Sequence, residues 1–253
     1  MSLCEGTPMD SGYYAACTAL VSRTQALDTI ANNLANVSTA GFRAEKNVFS
    51  SVLTNAGGGS SSALSQAINN FGVLGGTSLD ASQGALQKTG NDLDVGIEGK
   101  GYFVVQTANG PMYTRNGAFQ VSSKGQLVTS TGDAVMGDKG VISILPGTVS
   151  ISPDGTISSN GAVTGKLKVV EFPEGTELTT QGSTYYSAPA NTAAVAKDSS
   201  VRQGMLESSN VNPIASMVEL VNAQRSAEMM QRALTMFNSE IDKTAAQDLP
   251  KVG

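Results

Sequence analysis

Three carboxylates, Asp92, Asp94 and Glu98, lie close together in the chain. On an extended strand side chains alternate faces, so Asp92 and Asp94 point the same way. Such a pair suits a calcium site or general acid–base chemistry. A solvated strand edge explains the same acids without asking for the several further oxygen ligands that calcium takes, and it is the reading adopted. The neighbouring run Gly96-Ile97-Glu98-Gly99-Lys100-Gly101 is no phosphate loop. Its glycines are in the wrong order for a dinucleotide fingerprint, and Gly99-Lys100 lacks the spacing and following Ser or Thr of a P-loop. A hairpin turn or bulge accounts for it. Cys4 and Cys17 are the only cysteines and histidine is absent. They read as two unpaired thiols in preference to a disulfide, and two thiolates cannot close a tetrahedral zinc shell. The missing histidine removes the commonest general base and the usual partner of a Ser or Cys nucleophile. Neither a catalytic site nor a bound cofactor or metal is expected.

The elements that would carry these residues are of two kinds. The chain has 253 residues, a net charge of −5 and 28 glycines, with 40% hydrophobic and 5% aromatic residues. The core must therefore be aliphatic and the chain rich in turns. No basic run offers a nucleic-acid surface. No stretch reaches the roughly 18–20 consecutive apolar residues that span a bilayer. The N-terminus lacks the charged, apolar and small-residue regions of a cleaved secretion signal.

From Tyr13 to Asn36 the apolar pattern is helical. Leu20, Leu27 and Leu34 recur every seven residues, with Cys17, Thr24 and Ala31 at the second seam position. Asn212-Pro213 opens a second helix as N-cap and first position. Within it Leu220, Ala223, Ala227, Met230, Leu234, Phe237 and Ile241 alternate three- and four-residue steps. That helix would be roughly 50 Å long, too long to lie wholly on a small β domain. Between the helices, residues 54–62 read as a flexible loop, and residues 84–206 alternate as short strands. Asn109-Gly110, Asn116-Gly117 and Asn160-Gly161 are hairpin signals. The expected fold class is α+β: long N- and C-terminal helices forming a coiled coil, with a central antiparallel β-rich domain. The expected division is 1–43, N-terminal helix; 44–83, linker; 84–206, β-rich outer domain; and 207–253, C-terminal helix.

Residues 31–42, Ala-Asn-Asn-Leu-Ala-Asn-Val-Ser-Thr-Ala-Gly-Phe, closely resemble the N-terminal signature of bacterial flagellar rod and hook proteins. Its residues here are Ala31, Asn32, Asn33, Leu34, Ala35, Asn36, Val37, Ser38, Thr39, Gly41 and Phe42. Three more blocks agree in order: Thr89–Val95 running to Gly99–Phe103, Tyr113–Phe119, and Gln203-Gly204 with Leu206–Asn212. Asn116 stands where the family often has Asp, and Gln224–Glu228 lacks the aromatic of distal-rod and hook relatives. The likeness covers residues 11–247. It is strongest to the proximal-rod member adjoining the distal rod, with the distal-rod protein next.

The resemblance implies a structural subunit of the flagellar basal-body rod that self-assembles into the axial shaft and carries motor torque to the hook. Its implied partners are copies of itself, other rod and hook axial proteins, the flagellar type III export apparatus and the surrounding ring proteins. It implies residence in the periplasmic basal body without a cleaved signal, and neither nucleic-acid binding nor membrane insertion. Leu20, Leu27, Leu34, Leu220, Ala227, Met230, Leu234, Phe237 and Ile241 are the expected subunit-packing seam. The amides of Asn32, Asn33 and Asn36 are expected to bond to adjacent subunits, since a buried amide must be satisfied. The rivals are a hydrolase or lyase using the carboxylate pair and a monomeric β-domain adhesin.

Overall fold

The computed structural model describes residues 8–50, 73–173, 175–189, 192–196 and 198–248. Among them there are two helices, α1 (Pro8–Ala35) and α2 (Pro213–Asp248). The intervening chain is strand-rich. It runs through β1 (Glu45–Ser50), β2 (Val73–Leu79), β3 (Leu86–Lys88), β4 (Val95–Glu98), β5 (Tyr102–Thr107) and β6 (Gly110–Thr114). It continues through β7 (Gln120–Val121), β8 (Leu127–Val128), β9 (Ala134–Gly137), β10 (Gly140–Val141), β11 (Val149–Ile151), β12 (Thr156–Ser159) and β13 (Ala162–Lys166). The last strands are β14 (Val169–Glu171), β15 (Thr179–Gln181), β16 (Tyr185–Ser187), β17 (Ala194–Val195), β18 (Ser200–Gln203) and β19 (Met205–Glu207).

The chain divides into two compact units. The first draws on the described residues of Met1–Leu34, Glu45–Ser78 and Pro213–Gly253; the second comprises Ala35–Ala44 and Leu79–Asn212.

The second unit is built on a ten-stranded sheet whose main path is β15-β16-β6-β5-β9-β8-β7, with β10, β14 and β17 branching from it. Its registered pairings are antiparallel. Strand β5 shows why the centre is stable. Phe103 and Val105 enter one apolar cluster with Val95, Ile97, Phe119, Val135, Ile157 and Val201, while Tyr102 and Val104 enter a second with Val170 and Tyr186. The period-two alternation thus buries both faces. Phe103 and Phe119 meet edge to face at 5.1 Å.

The coiled coil expected of the terminal helices is not formed. The protein is strand-rich with a large central β unit, and among the described residues α1 and α2 share no continuous packed seam. The physical reason lies in which positions are buried. Among the described side chains of α1, from Leu20 on, these are Ser22, Ala26, Thr29 and Asn33, which are small or polar, while Leu20, Leu27 and Leu34 are half-buried and Thr24 and Ala31 exposed. A coiled coil instead needs its heptad apolar side chains inserted as knobs into a partner helix. Heptad spacing alone does not supply that partner.

Two hairpin signals act as such. Ala108-Asn109 joins β5 to β6, with Gly110 at positive φ as the first residue of β6, and Asn160-Gly161, both at positive φ, joins β12 to β13. Asn116-Gly117 does not, because β6 pairs with β5 and β16 while β7 pairs with β8. There Asn116 Oδ1 accepts the Ala118 N–H at 3.0 Å and caps a local turn.

Candidate functional site

The chain leaves α1 through a tight corner. The Thr39 N–H donates to Asn36 O at 3.1 Å, and the Phe42 N–H to Thr39 O at 3.3 Å. Gly41 sits at φ +69°, and a Cβ there would lie 2.3 Å from Asn116 N and 2.4 Å from Arg115 C. Only glycine combines that conformation with that approach. Its N–H donates to Glu207 O at 2.7 Å, and Phe42 is buried beside it. Just before the corner, the Asn33 amide pairs with the Glu45 backbone. Its Nδ2 donates to the carbonyl at 2.8 Å, and its Oδ1 accepts the N–H at 2.9 Å. Both the Asn33 amide nitrogen and its oxygen are thus bonded within the chain. Asn36 Oδ1 likewise accepts an internal bond, from Thr39 Oγ1.

Immediately after the corner a buried charge cluster forms. Glu207 is 1% exposed; its Oε1 lies 2.8 Å from Arg43 Nη2 and its Oε2 lies 3.0 Å from Arg115 Nη1. The Gly84 N–H also donates to Oε1, at 2.9 Å. Arg115 is well held: Nη2 donates to Gly99 O at 2.6 Å, and the guanidinium carbon sits 4.9 Å from the centre of the Tyr102 ring. Burial lowers the Arg115 pKa from its ordinary value; Glu207 opposes that shift, and the Arg43 charge adds to it. Arg43 is poorly held. Its contact with Glu207 lacks hydrogen-bond geometry, and its Nε and Nη1 are buried without a hydrogen-bond partner. The cluster thus has two guanidinium charges on one carboxylate.

Amide side chains complete the junction. Asn210 Oδ1 accepts the Ala44 N–H at 2.7 Å, while its Nδ2 donates to Asp80 O at 3.1 Å and Ser82 O at 3.0 Å. Gln203 Nε2 donates to Val149 O at 2.8 Å and its Oε1 accepts the Ile151 N–H at 3.0 Å, standing in for a neighbouring strand at β11. These contacts fasten main chain to main chain.

The acids of the sequence do not converge. Asp94 Oδ1 accepts from Asn91 Nδ2 at 3.1 Å, and Glu98 pairs with Arg202 at 2.7 Å. Asp92 lies in a turn, since β4 begins only at Val95, and it lines an open groove with Asn91, Ser122, Leu145 and Val149. Of the expected packing seam, Leu20, Leu27, Leu34, Leu220 and Met230 are half-buried and Ala227 is buried. Leu234, Phe237 and Ile241, like Cys4 and Cys17, have side chains outside the described residues. Sequence reasoning missed Arg43, Arg115, Glu207 and Asn210 as a set, although each lies in or beside a family-like block. It also missed a second apolar stripe on α2. Ile214, Met217, Val218, Val221, Met229 and Met236 lie nearly opposite the seam, and their exposures run from 45% at Val221 to 75% at Ile214.

Three family models match the chain. They are described as flagella basal body rod protein, at residues 14–43; flagellar hook protein FlgE/F/G D1 domain, at 96–164; and flagellar basal body rod FlgEFG protein C-terminal, at 202–247. The flagellar basal-body rod protein FlgF of Caulobacter vibrioides is 32% identical over 96% of this chain and 100% of its own length. The chain belongs to the flagellar basal-body rod protein family. FlgF of Salmonella typhimurium is 34% identical over 90% of this chain and 94% of its own, and FlgG of Bacillus subtilis is 33% identical over 83% and 88%. In this rod protein the buried cluster takes one residue from each matched segment: Arg43 from the first, Arg115 from the second and Glu207 from the third.

Proposed function

We propose that the chain is a structural subunit of the flagellar basal-body rod and works by packing, not by chemistry. It self-assembles with copies of itself and with other rod and hook axial proteins into the shaft that transmits motor torque to the hook. A contact between different surfaces of successive copies extends indefinitely unless its rotation closes a ring, and so builds a rod. The observation that carries this reading is the open stripe of α2 from Ile214 to Met236. A large apolar face left in water on a single chain marks a surface that a partner covers. The seam residues Leu20, Leu27, Leu34, Leu220, Ala227, Met230, Leu234, Phe237 and Ile241 supply the remaining subunit contacts. The sequence segments 1–43 and 207–253 then serve assembly, 84–206 forms the outer body, and 44–83 links them.

Similarity to FlgF supports a proximal place in the rod. Similarity to FlgG supports the second reading, a distal place. Delivery by the flagellar type III export apparatus without signal cleavage, residence in the periplasmic span and contact with the ring proteins follow from the same assignment. The absence of an enzymatic role follows from it too.

The test places a charge on the open stripe. Val221→Asp and Met229→Asp change side chains that water already reaches, so folding stability should shift by less than about 0.5 kcal/mol. Motility and recovery in purified basal bodies should be lost. Normal swimming of both variants would reject the packing role of this face.

A further inference from the structure

The second unit closes on itself through its two sequence ends. Strand β4 pairs with β18, with Val95 opposite Gln203 and Glu98 opposite Ser200, and β3 pairs with β19. The corner after α1 is bonded to Glu207 and Asn210, from the last stretch of the unit. Among the described residues Glu207 is the only carboxylate in contact with either Arg43 or Arg115. Until Glu207 arrives, docking the corner would bury two adjacent guanidinium groups with no counter-charge. Burial of uncompensated charge is strongly unfavourable, and like charges side by side add to it. The backbone is as demanding. A Cβ at Gly84 would lie 1.9 Å from Ser208 O, so the chain after Glu207 lies directly on the segment before β3.

We propose that Glu207 is a positioning residue that gates completion of the fold: the signature corner docks onto the β unit only once the strand carrying Glu207 is in place. A chain delivered N-terminus first, whether during synthesis or through a channel, keeps its corner and β3 undocked until nearly all of it has emerged. The corner that joins α1 to the β unit therefore forms only on complete chains, and a chain broken before Glu207 cannot form it. This inference rests on the charge cluster and the strand order, not on the rod assignment.

The test is pulsed hydrogen exchange during refolding of the full chain. The Gly41 and Ala44 amides and those of β3 should gain protection in one phase with β18 and β19. The β12–β13 hairpin, a local contact, should be protected separately and earlier. Glu207→Gln keeps the shape and removes the charge, and it should slow the closing phase roughly tenfold or more. Arg43→Met in that background removes one uncompensated cation and should restore much of the rate. Protection of the corner before β18–β19 in the unaltered chain would overturn the gate, and that measurement stands even if Glu207→Gln fails to fold. An unchanged closing rate in Glu207→Gln would overturn it as well. Failure of Arg43→Met to restore any rate would show that charge is not what gates closure.

Discussion

Gly41→Ala isolates the energetics of the corner. Gly41 is at φ +69°, where an L side chain costs about 1–2 kcal/mol. The added Cβ would meet backbone, 2.3 Å from Asn116 N and 2.6 Å from Arg115 O, and backbone cannot rotate away. Forcing such an approach typically costs a further 1–3 kcal/mol or so. Any shift that relieves it lengthens the 2.7 Å bond from the Gly41 N–H to Glu207 O, worth about 1 kcal/mol. The total is about 3–6 kcal/mol, a large share of the roughly 5–15 kcal/mol that holds a domain folded. Gly90→Ala is the control. Gly90 has φ +77° and nothing within 4 Å of a built Cβ, so it carries the conformational cost alone, about 1–2 kcal/mol. Urea unfolding followed by tyrosine fluorescence reads both, since the chain has six tyrosines and no tryptophan. If Gly41→Ala falls within about 0.5 kcal/mol of Gly90→Ala at equal m-value, the close approach is not a determinant of stability.

Further outcomes follow from the same geometry. Arg115→Met removes the better-held partner of Glu207 and should cost about 3–5 kcal/mol, whereas Arg43→Met removes the surplus cation and should cost less than about 1 kcal/mol or stabilise. The reverse order in paired denaturation curves would refute the charge count. Asn33→Ala leaves the Glu45 N–H and C=O without their side-chain partner and should cost about 1–3 kcal/mol, seen as a lower Tm and faster exchange at Glu45. Burial raises the Tyr186 pKa above its ordinary value, with the neighbouring Tyr102 adding to the shift. The protonated folded form is therefore favoured: its contribution is fully present below pH of about 10 and is lost as pH rises further. Tyr186→Phe should flatten the alkaline limb of a Tm-against-pH profile, and an unchanged limb would count against this assignment.

Local chemistry was legible from sequence. Asn212-Pro213 opens α2, the glycine after Asn109 and Asn160 marks true hairpins, and Gly41 takes the left-handed conformation at the end of the signature block. These features depend on a few adjacent residues, and near neighbours encode them. The sequence by itself also determined the family, because blocks of fixed order need no coordinates to match. Tertiary structure decided the rest. Asn116-Gly117 carries the same dipeptide as the hairpins yet turns none, since β7 found β8 and not β6. The heptad leucines of α1 are real, but spacing names no partner, and the face that is buried is the small and polar one. The pairing of Asn33 with the Glu45 backbone, twelve residues on, likewise needs the chain to turn back on itself. Above all, nothing in a linear chain says that Arg43, Arg115 and Glu207 will meet. Long-range ion pairs are set by how the strands register, and that register is chosen by the burial of β4 and β5 between their neighbours.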